Sequence, residues 1–470
     1  MRYLAFVAIS LLLATVMVTP PFAVAGQQPA SPSPVLTPER RETAGRIIGA
    51  ALVDDTGWNR LAYIGDRIGH RLSGSAALEK AIVWAADEMR RDGLDNVRTE
   101  KVMVPHWVRG AESATLLEPV ERDLSMLGLG NSVGTGPEGV TADVVVVSNY
   151  DELERLGEAV RGKIVCYNVP YTDYGATVQY RGSGASRAAK HGAVAVLVRS
   201  VGPVSLDTPH TGALRYDEAV AKIPAAAITI EGAETLGRMQ SRGERLRLRL
   251  VMNAKMLPDV ESANVVAELK GLQYPDQIIL LAAHYDSWDT GTGSHDDAGG
   301  CIQIWEAIRL LKKLGLRPKR TIRVVLYTNE ENGLRGGVEY LATHRAELAN
   351  HLLAVETDSG TFKPEGLALT TTNEGLRALM ADIMSLLEPI GAGKLAANGG
   401  GADIGPLMRE GVPGGNLDVD SSTYFHYHHT HADTLDKIKP IDLKLCIAAL
   451  AVMAYMAADV EVWPSTGKPA

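Results

Sequence analysis

The chain has 470 residues, 46% hydrophobic and 22% charged, with 47 Lys and Arg against 56 Asp and Glu for a formal net charge of -9. That length accommodates about two to three domains and a large core, and the composition excludes a disordered, collagenous or coiled-coil chain. The acidic balance excludes a nucleic-acid binder working through a basic face, and three Cys cannot make a disulfide framework.

Met1 and Arg2 precede an almost unbroken apolar run over residues 4–18, followed by Pro20-Pro21 and the small-x-small signal Ala23-Val24-Ala25. Residues 1–25 read as a secretory signal peptide, which makes the mature chain secreted, periplasmic or otherwise extracytoplasmic. The run is short for a membrane span of about 20 residues. Residues 26–40 are rich in Pro and Ser and read as a disordered linker. Helices are expected over residues 43–53 and 58–68. Residues 75–91 form a clear amphipathic helix, with Ala81, Ile82, Trp84, Ala85 and Met89 at helical spacing and Gly93 as its stop. Residues 97–104 alternate like a strand.

The texture changes over residues 110–257. Short β-like runs at 143–147, 163–169, 193–198, 225–230 and 246–251 lie between turns rich in Gly and Pro, and only 187–191 and 233–240 look helical. This reads as a separate, β-rich unit. Beyond it, strands (262–269, 278–283, 321–328, 352–356) alternate with helices (298–314, 338–347, 375–387, 443–460). That alternation predicts an α/β domain formed by residues 41–109 and 258–470, with 110–257 inserted. No later stretch reads as long and apolar enough to cross a bilayer; residues 447–460 fall short and end in acids.

Five segments of the α/β part carry His or carboxylates where open sheets build sites, beyond the carboxyl ends of strands. His284-Tyr285-Asp286 ends an apolar strand; the His can bind a metal and the Asp can fix its tautomer. His295-Asp296-Asp297-Ala298-Gly299-Gly300 opens a helix. One Asp suffices for an N-cap, so the pair favours a cation. Glu330-Glu331 ends another strand, where one carboxylate can ligate and the other can take a proton from water. Glu356-Thr357-Asp358 follows a fourth strand. Residues 426–433 hold four His in six residues, read either as ligands or as a solvated loop. Nitrogen and oxygen donors without thiolate suit zinc, with cobalt or manganese as substitutes. Cys166, Cys301 and Cys446 show no ligand spacing and read as structural thiols.

The order His284-x-Asp286, Asp296-Asp297-x-Gly, Glu330-Glu331, Glu-x-Asp358 and His429-Thr-x-x-Asp-Thr resembles the co-catalytic di-zinc exopeptidases of metallopeptidase family twenty-eight. Supporting stretches include Arg71-Leu72-Ser73-Gly74-Ser75 and Val178-Gln179-Tyr180-Arg181, and the likeness runs from about Arg60 to Trp463. The resemblance implies a mixed sheet flanked by helices, with residues 110–257 as an inserted protease-associated domain. It implies that His284 and Asp358 bind one zinc, that Glu331 and His429 bind a second, and that Asp296 bridges them. Glu330 would be the general base towards a metal-bridging hydroxide, and Asp286 would orient His284. The alignment alone selects His429 over His428 and His431. The resemblance also implies a cis Asp296-Asp297 peptide bond and a homodimer.

The expected activity is hydrolysis of dipeptides and short peptides in the manner of the family's dipeptidase and carboxypeptidase branch. Family neighbours are mostly aminopeptidases, so release of N-terminal residues is the alternative. Asp403, after Gly399-Gly400-Gly401-Ala402, is a candidate for holding a substrate amine. A non-catalytic receptor on the same fold is the remote reading, disfavoured by the intact ligand set. An acylase or deacetylase on a similar fold is a third.

Overall fold

The computed structural model describes residues 35–464. The expected leader and the start of the expected linker lie outside them. The rest of that linker is ordered: Thr37 accepts from the Arg40 N–H and caps the helix Pro38–Val53, with Pro in its first turn. The helical chain therefore begins before residue 41.

The strands in chain order are β1 (Asp95–Val108), β2 (Glu112–Glu118), β3 (Arg122–Leu124), β4 (Met126–Gly128), β5 (Val140–Val147), β6 (Ile164–Tyr167), β7 (Ala195–Arg199) and β8 (Ala225–Ile228). They continue with β9 (Arg247–Met252), β10 (Lys255–Leu269), β11 (Tyr274–His284), β12 (Arg320–Tyr327), β13 (His351–Glu356), β14 (Pro364–Thr370), β15 (Lys394–Ala397) and β16 (Gly414–Val419). The first sheet runs β1-β10-β12-β11-β13-β16-β14-β15. Its centre, β12-β11-β13-β16, is parallel, and antiparallel pairs flank it, so the sheet is mixed.

β11 shows why its sequence is a continuous apolar run. Ile279, Leu281 and Ala283 enter the core on one face, with helices Ala76–Arg91, Gly299–Lys313 and Pro440–Ala458. Ile278, Leu280 and Ala282 enter a second core on the other, with Tyr340, Ile404 and Leu407. Side chains alternate with period two, and both faces are covered. The helix Pro440–Ala458 corrects one expectation: it is long and apolar enough to cross a membrane, and 72% of that stretch is buried inside the protein. Its burial between the sheet and its neighbours accounts for the composition.

The second sheet, β3-β2-β9-β5-β6-β7-β8-β4, is built wholly from residues 112–252. Its β5-β6-β7-β8 part is parallel. It carries helices Tyr150–Leu156, Gln179–Lys190 and Ile230–Ser241, so this unit is itself α/β rather than only β-rich. The helix Gln179–Lys190 starts eight residues before the stretch expected from the sequence. Gly182 and Gly184 lower its helical signal, yet Gly184 is needed: a Cβ there would sit 2.7 Å from the Tyr167 ring.

Candidate metal and catalytic site

Adjacent parallel strands β12, β11 and β13 end along one sheet edge. The register pairs His284 with Tyr327, and Ala282 with Glu356. The residues just past those ends (Glu330, Glu331 and Asp358) therefore converge on His284, as open α/β sheets arrange their sites. A second group arrives from loops: Asp296 from the turn before helix Gly299–Lys313, and His429 from the turn after Tyr424–Tyr427.

Two clusters result, sharing Asp296. His284 Nε2 lies 3.3 Å from Asp296 Oδ1 and 3.5 Å from Asp358 Oδ1. His429 Nε2 lies 3.2 Å from Asp296 Oδ2 and 3.1 Å from Glu331 Oε2. Donors held about 2.1 Å from one four-coordinate ion stand roughly 3.4 Å apart, so these separations fit ligand edges. Asp296 Oδ2, Asp358 Oδ1 and Glu331 Oε1 are also buried without a hydrogen-bond partner. His284, Asp296 and Asp358 form one group able to hold a metal ion. Asp296, His428 and His429 form another. All five residues expected as ligands are thus brought together, with His428 alongside.

The electrostatics point the same way. Burial pushes Glu330 well above the usual carboxylate range, reinforced by Asp358 and Glu331. Burial and Asp296 push Glu331 up to about 7. His284 and His429 hold Asp296 well below its ordinary value against the effect of its own burial. Four carboxylates crowded together in this way call for cations.

The aspartate pair divides its work. Asp296 enters the shared position. Asp297 accepts from the Gly300 N–H at 3.0 Å, and from the His284 N–H at 3.3 Å, tying the helix start to the end of β11. The Asp296-Asp297 peptide bond is cis. Gly300 is required by proximity, since a Cβ would stand 2.2 Å from Asp297 Oδ1 and from the Thr357 carbonyl.

Asp286 meets the His284 ring and also supports the neighbouring turn. The Asp286 backbone carbonyl takes the close contact with His284 Nδ1, 3.1 Å, while its carboxylate is 3.7 Å from that nitrogen. That carboxylate instead accepts from the Glu330 N–H (3.0 Å), the Glu331 N–H (3.3 Å) and the Ser73 hydroxyl (3.1 Å). It holds the turn that presents both glutamates. Asp403 is 1% exposed and neither of its carboxylate oxygens has a hydrogen-bond partner. Burial and the neighbouring Glu356 and Glu330 push its carboxyl well above the ordinary value. Ala402, rather than Asp403, lines the cavity beside the site.

Several supporting residues received no role from the sequence. Buried Arg71 donates to the carbonyls of Tyr285, Thr292 and Gly293 at 2.8–3.0 Å, joining the β11 end to the Asp296 loop. Asp433 accepts from the Ser294, His295 and Asp296 N–H groups at 3.1, 2.7 and 3.1 Å. Its place in the His429-Thr-x-x-Asp-Thr motif was the available signal. Thr211, in the second unit, pairs with His429 twice: its N–H donates to the His429 carbonyl at 3.0 Å, and its carbonyl lies 3.2 Å from His429 Nδ1. The cavity against the site has a volume of about 920 Å³ and is lined by residues between Asn131 and Arg215 as well as by those of the site.

The chain is similar to known proteins over most of its length. Residues 264–454 match the model of peptidase family M28. Carboxypeptidase Q of Bos taurus is 48% identical over 404 residues, covering 86% of this chain and 85% of that protein. A peptidase M28 precursor from Shewanella amazonensis superposes with a TM-score of 0.87 at 34% identity, over 92% of this chain and 99% of that one. A zinc aminopeptidase from Bacillus subtilis shares the fold at 22% identity, with a TM-score of 0.66 over 87% of this chain and 96% of that one. Similarity of that extent along nearly the whole described chain places it in peptidase family M28, as a peptidase.

Proposed function

We propose that this chain is a secreted, zinc-dependent exopeptidase resembling carboxypeptidase Q, hydrolysing free dipeptides and short peptides, with residues 110–257 as a protease-associated domain. The observation that carries the reading is the shared Asp296, with one oxygen facing His284 and the other His429 at metal-ligand separations. His284 and Asp358 would hold one zinc, Glu331 and His429 a second, with Asp296 between them. Cobalt or manganese suits the same donors.

Zinc in this site supplies Lewis-acid activation of a water molecule and of the scissile carbonyl. Glu330 takes the proton that the attacking water loses and passes it to the leaving amine nitrogen as the C–N bond breaks. Asp286 aims that carboxylate by fixing the Glu330 and Glu331 N–H groups. Arg71 and Asp433 keep the Asp296 loop in place, so the ligands are preorganised by buried contacts. The leader-like residues 1–25 support secretion.

Glu330→Gln is the test. It should keep the zinc content of the wild type and lose turnover by about 10²–10⁴-fold, the range for a general base. Zinc retention with full activity removes Glu330 from that role. A wild-type protein that binds no metal and cleaves no peptide removes the whole reading. The alternative, an aminopeptidase, gains support from the shared fold of the zinc aminopeptidase. Such an enzyme would read only the free amine and would cleave a dipeptide and its C-terminal amide alike.

A further inference from the structure

A second, much smaller cavity touches the metal cluster. Its volume is about 10 Å³, and Trp288, Asp296, Glu331, His429 and Thr430 are in its wall. A polar cavity of about 10–15 Å³ holds one water molecule.

Trp288 is buried, and its indole Nε1 has no hydrogen-bond partner among the described residues. The other two deeply buried indoles are satisfied: Trp107 donates to the Ser132 carbonyl at 2.9 Å and Trp305 to the Asp92 carboxylate at 2.8 Å. The Trp288 ring is held too firmly to turn towards a partner. A Cβ on Gly130 would stand 1.9 Å from its Cη2. Trp107 and His429 pack against it in T-shaped contacts, with centroids 6.5 and 5.7 Å away. The orphaned carboxylate oxygens of the site are acceptors, which cations satisfy. An indole N–H is a donor only, and no cation can satisfy it. It requires an acceptor, and a buried donor left without one is costly.

The cavity wall narrows the choice. The Thr430 hydroxyl donates to the Tyr427 carbonyl at 2.7 Å, and the Thr290 hydroxyl is engaged with His431 Nδ1 at 2.7 Å. Both oxygens of Asp433 accept from the Asp296 loop. Asp296 Oδ2 faces His429 Nε2 at 3.2 Å. Glu331 turns Oε2 to the same nitrogen at 3.1 Å, which leaves its Oε1 as an open, buried acceptor. A water molecule accepts and donates at once, so it can join an indole N–H to a carboxylate oxygen.

We propose that this cavity binds one structural water, which accepts from Trp288 Nε1 and donates to Glu331 Oε1. Trp288 is thereby a positioning residue for Glu331. The inference rests on the reading above in treating Glu331 as a zinc ligand, and it adds the group that aims it.

The first test is a crystal structure of the zinc-loaded wild type that resolves ordered water. Density is expected for one water about 2.7–3.2 Å from both Trp288 Nε1 and Glu331 Oε1. A cavity without density, or an indole N–H bonded to a protein group, overturns the proposal and leaves the peptidase intact. The second test replaces Trp288 by benzothienylalanine, which keeps the indole shape and lacks the N–H, alongside Trp288→Phe. Zinc affinity is read by chelator competition, and the absorption spectrum of the cobalt-loaded protein is recorded. Both variants should bind one of the two ions about 10–100-fold more weakly, the scale of a lost contact behind a ligand. The cobalt spectrum should shift, and the thermal midpoint of the zinc-free benzothienylalanine variant should not. Wild-type affinity and spectrum in that variant overturn the proposal. Equal weakening of both ions reduces Trp288 to a packing residue and also overturns it. If Trp288→Phe does not fold, the isosteric variant and the crystal structure decide. A wild type that binds no metal speaks against the zinc reading instead, and density in the cavity of that protein still decides whether the water is held.

Discussion

His428 and His429 stack with ring centroids 3.5 Å apart, yet their contacts differ. His429 Nε2 reaches Glu331 and Asp296, at 3.1 and 3.2 Å. His428 Nε2 stays 3.7 Å from Asp296, its Nδ1 is unpartnered, and burial holds it well below the ordinary imidazole value. The backbone explains the choice. His429 sits at φ 61°, a left-handed conformation that a non-glycine residue adopts at a cost of about 1–3 kcal/mol. Its pairing with Thr211 through both its carbonyl and its ring offsets that cost. His429→Ala should therefore lose about half of the bound zinc on dialysis, and His428→Ala should keep it, as read by elemental analysis. Equal loss in both would reassign the ligand. The residue pattern by itself did not show this distinction, which came only from the family alignment. Four histidines in six residues name a candidate cluster, but which ring turns inward depends on one backbone dihedral that is stabilised by a residue over two hundred positions away.

At the level of elements, the motifs were legible because each sits where a long apolar run stops. β11 carries the apolar run 278–283 and β12 is dominated by apolar and β-branched residues, so their carboxyl ends, and hence His284 and Glu330, could be located from pattern alone. β14, β15 and β16 were not anticipated. β16 opens with Gly414-Gly415 and β15 spans only four residues, so propensity gives little signal and pairing with neighbours decides. The roles of Asp286, Asp297 and Asp433 were also hidden, because each depends on which backbone N–H groups lie nearby. Asp433 shows the consequence. It reaches across 139 positions to the Ser294 N–H and shares its two oxygens among three donors that shape the Asp296 loop. Asp433→Asn keeps the size but offers one carbonyl oxygen in place of two acceptors. It should weaken zinc affinity about 10–100-fold, as changes behind metal ligands do, and lower the thermal midpoint of the zinc-free protein. Unchanged values for both would show that the loop holds its shape without this carboxylate.

Across the whole molecule, the amino end of β13 carries a second polar cluster remote from the metal site in function, and it sets a dependence of stability on pH. His351, at the start of β13, is buried; its Nδ1 lies 3.2 Å from the Glu347 carbonyl and its Nε2 2.9 Å from the Tyr340 hydroxyl. That arrangement suits a neutral ring donating through Nδ1 and accepting through Nε2. Arg323 also donates to the Tyr340 hydroxyl, at 3.0 Å, and pairs with Glu268 and Glu347 at 2.8 and 2.7 Å, while His344 Nε2 meets Glu100 at 3.0 Å. β1, β10, β12 and β13 are thus joined through one network. Burial, with Arg323 and His344 adding to it and Glu347 opposing, pushes His351 down to about 4 from an ordinary 6.5. Below pH 6.5 the unfolded chain takes up a proton that the folded chain refuses, so stability falls as pH drops from 6.5 to 4 and the loss levels off below that. The shift corresponds to at most about 3 kcal/mol. Urea midpoints measured between pH 7 and 4.5 should fall in the wild type and fall less steeply in His351→Gln, whose amide keeps one donor and one acceptor without a titrating ring. Identical slopes in the two proteins would show that His351 accepts its proton in the folded state.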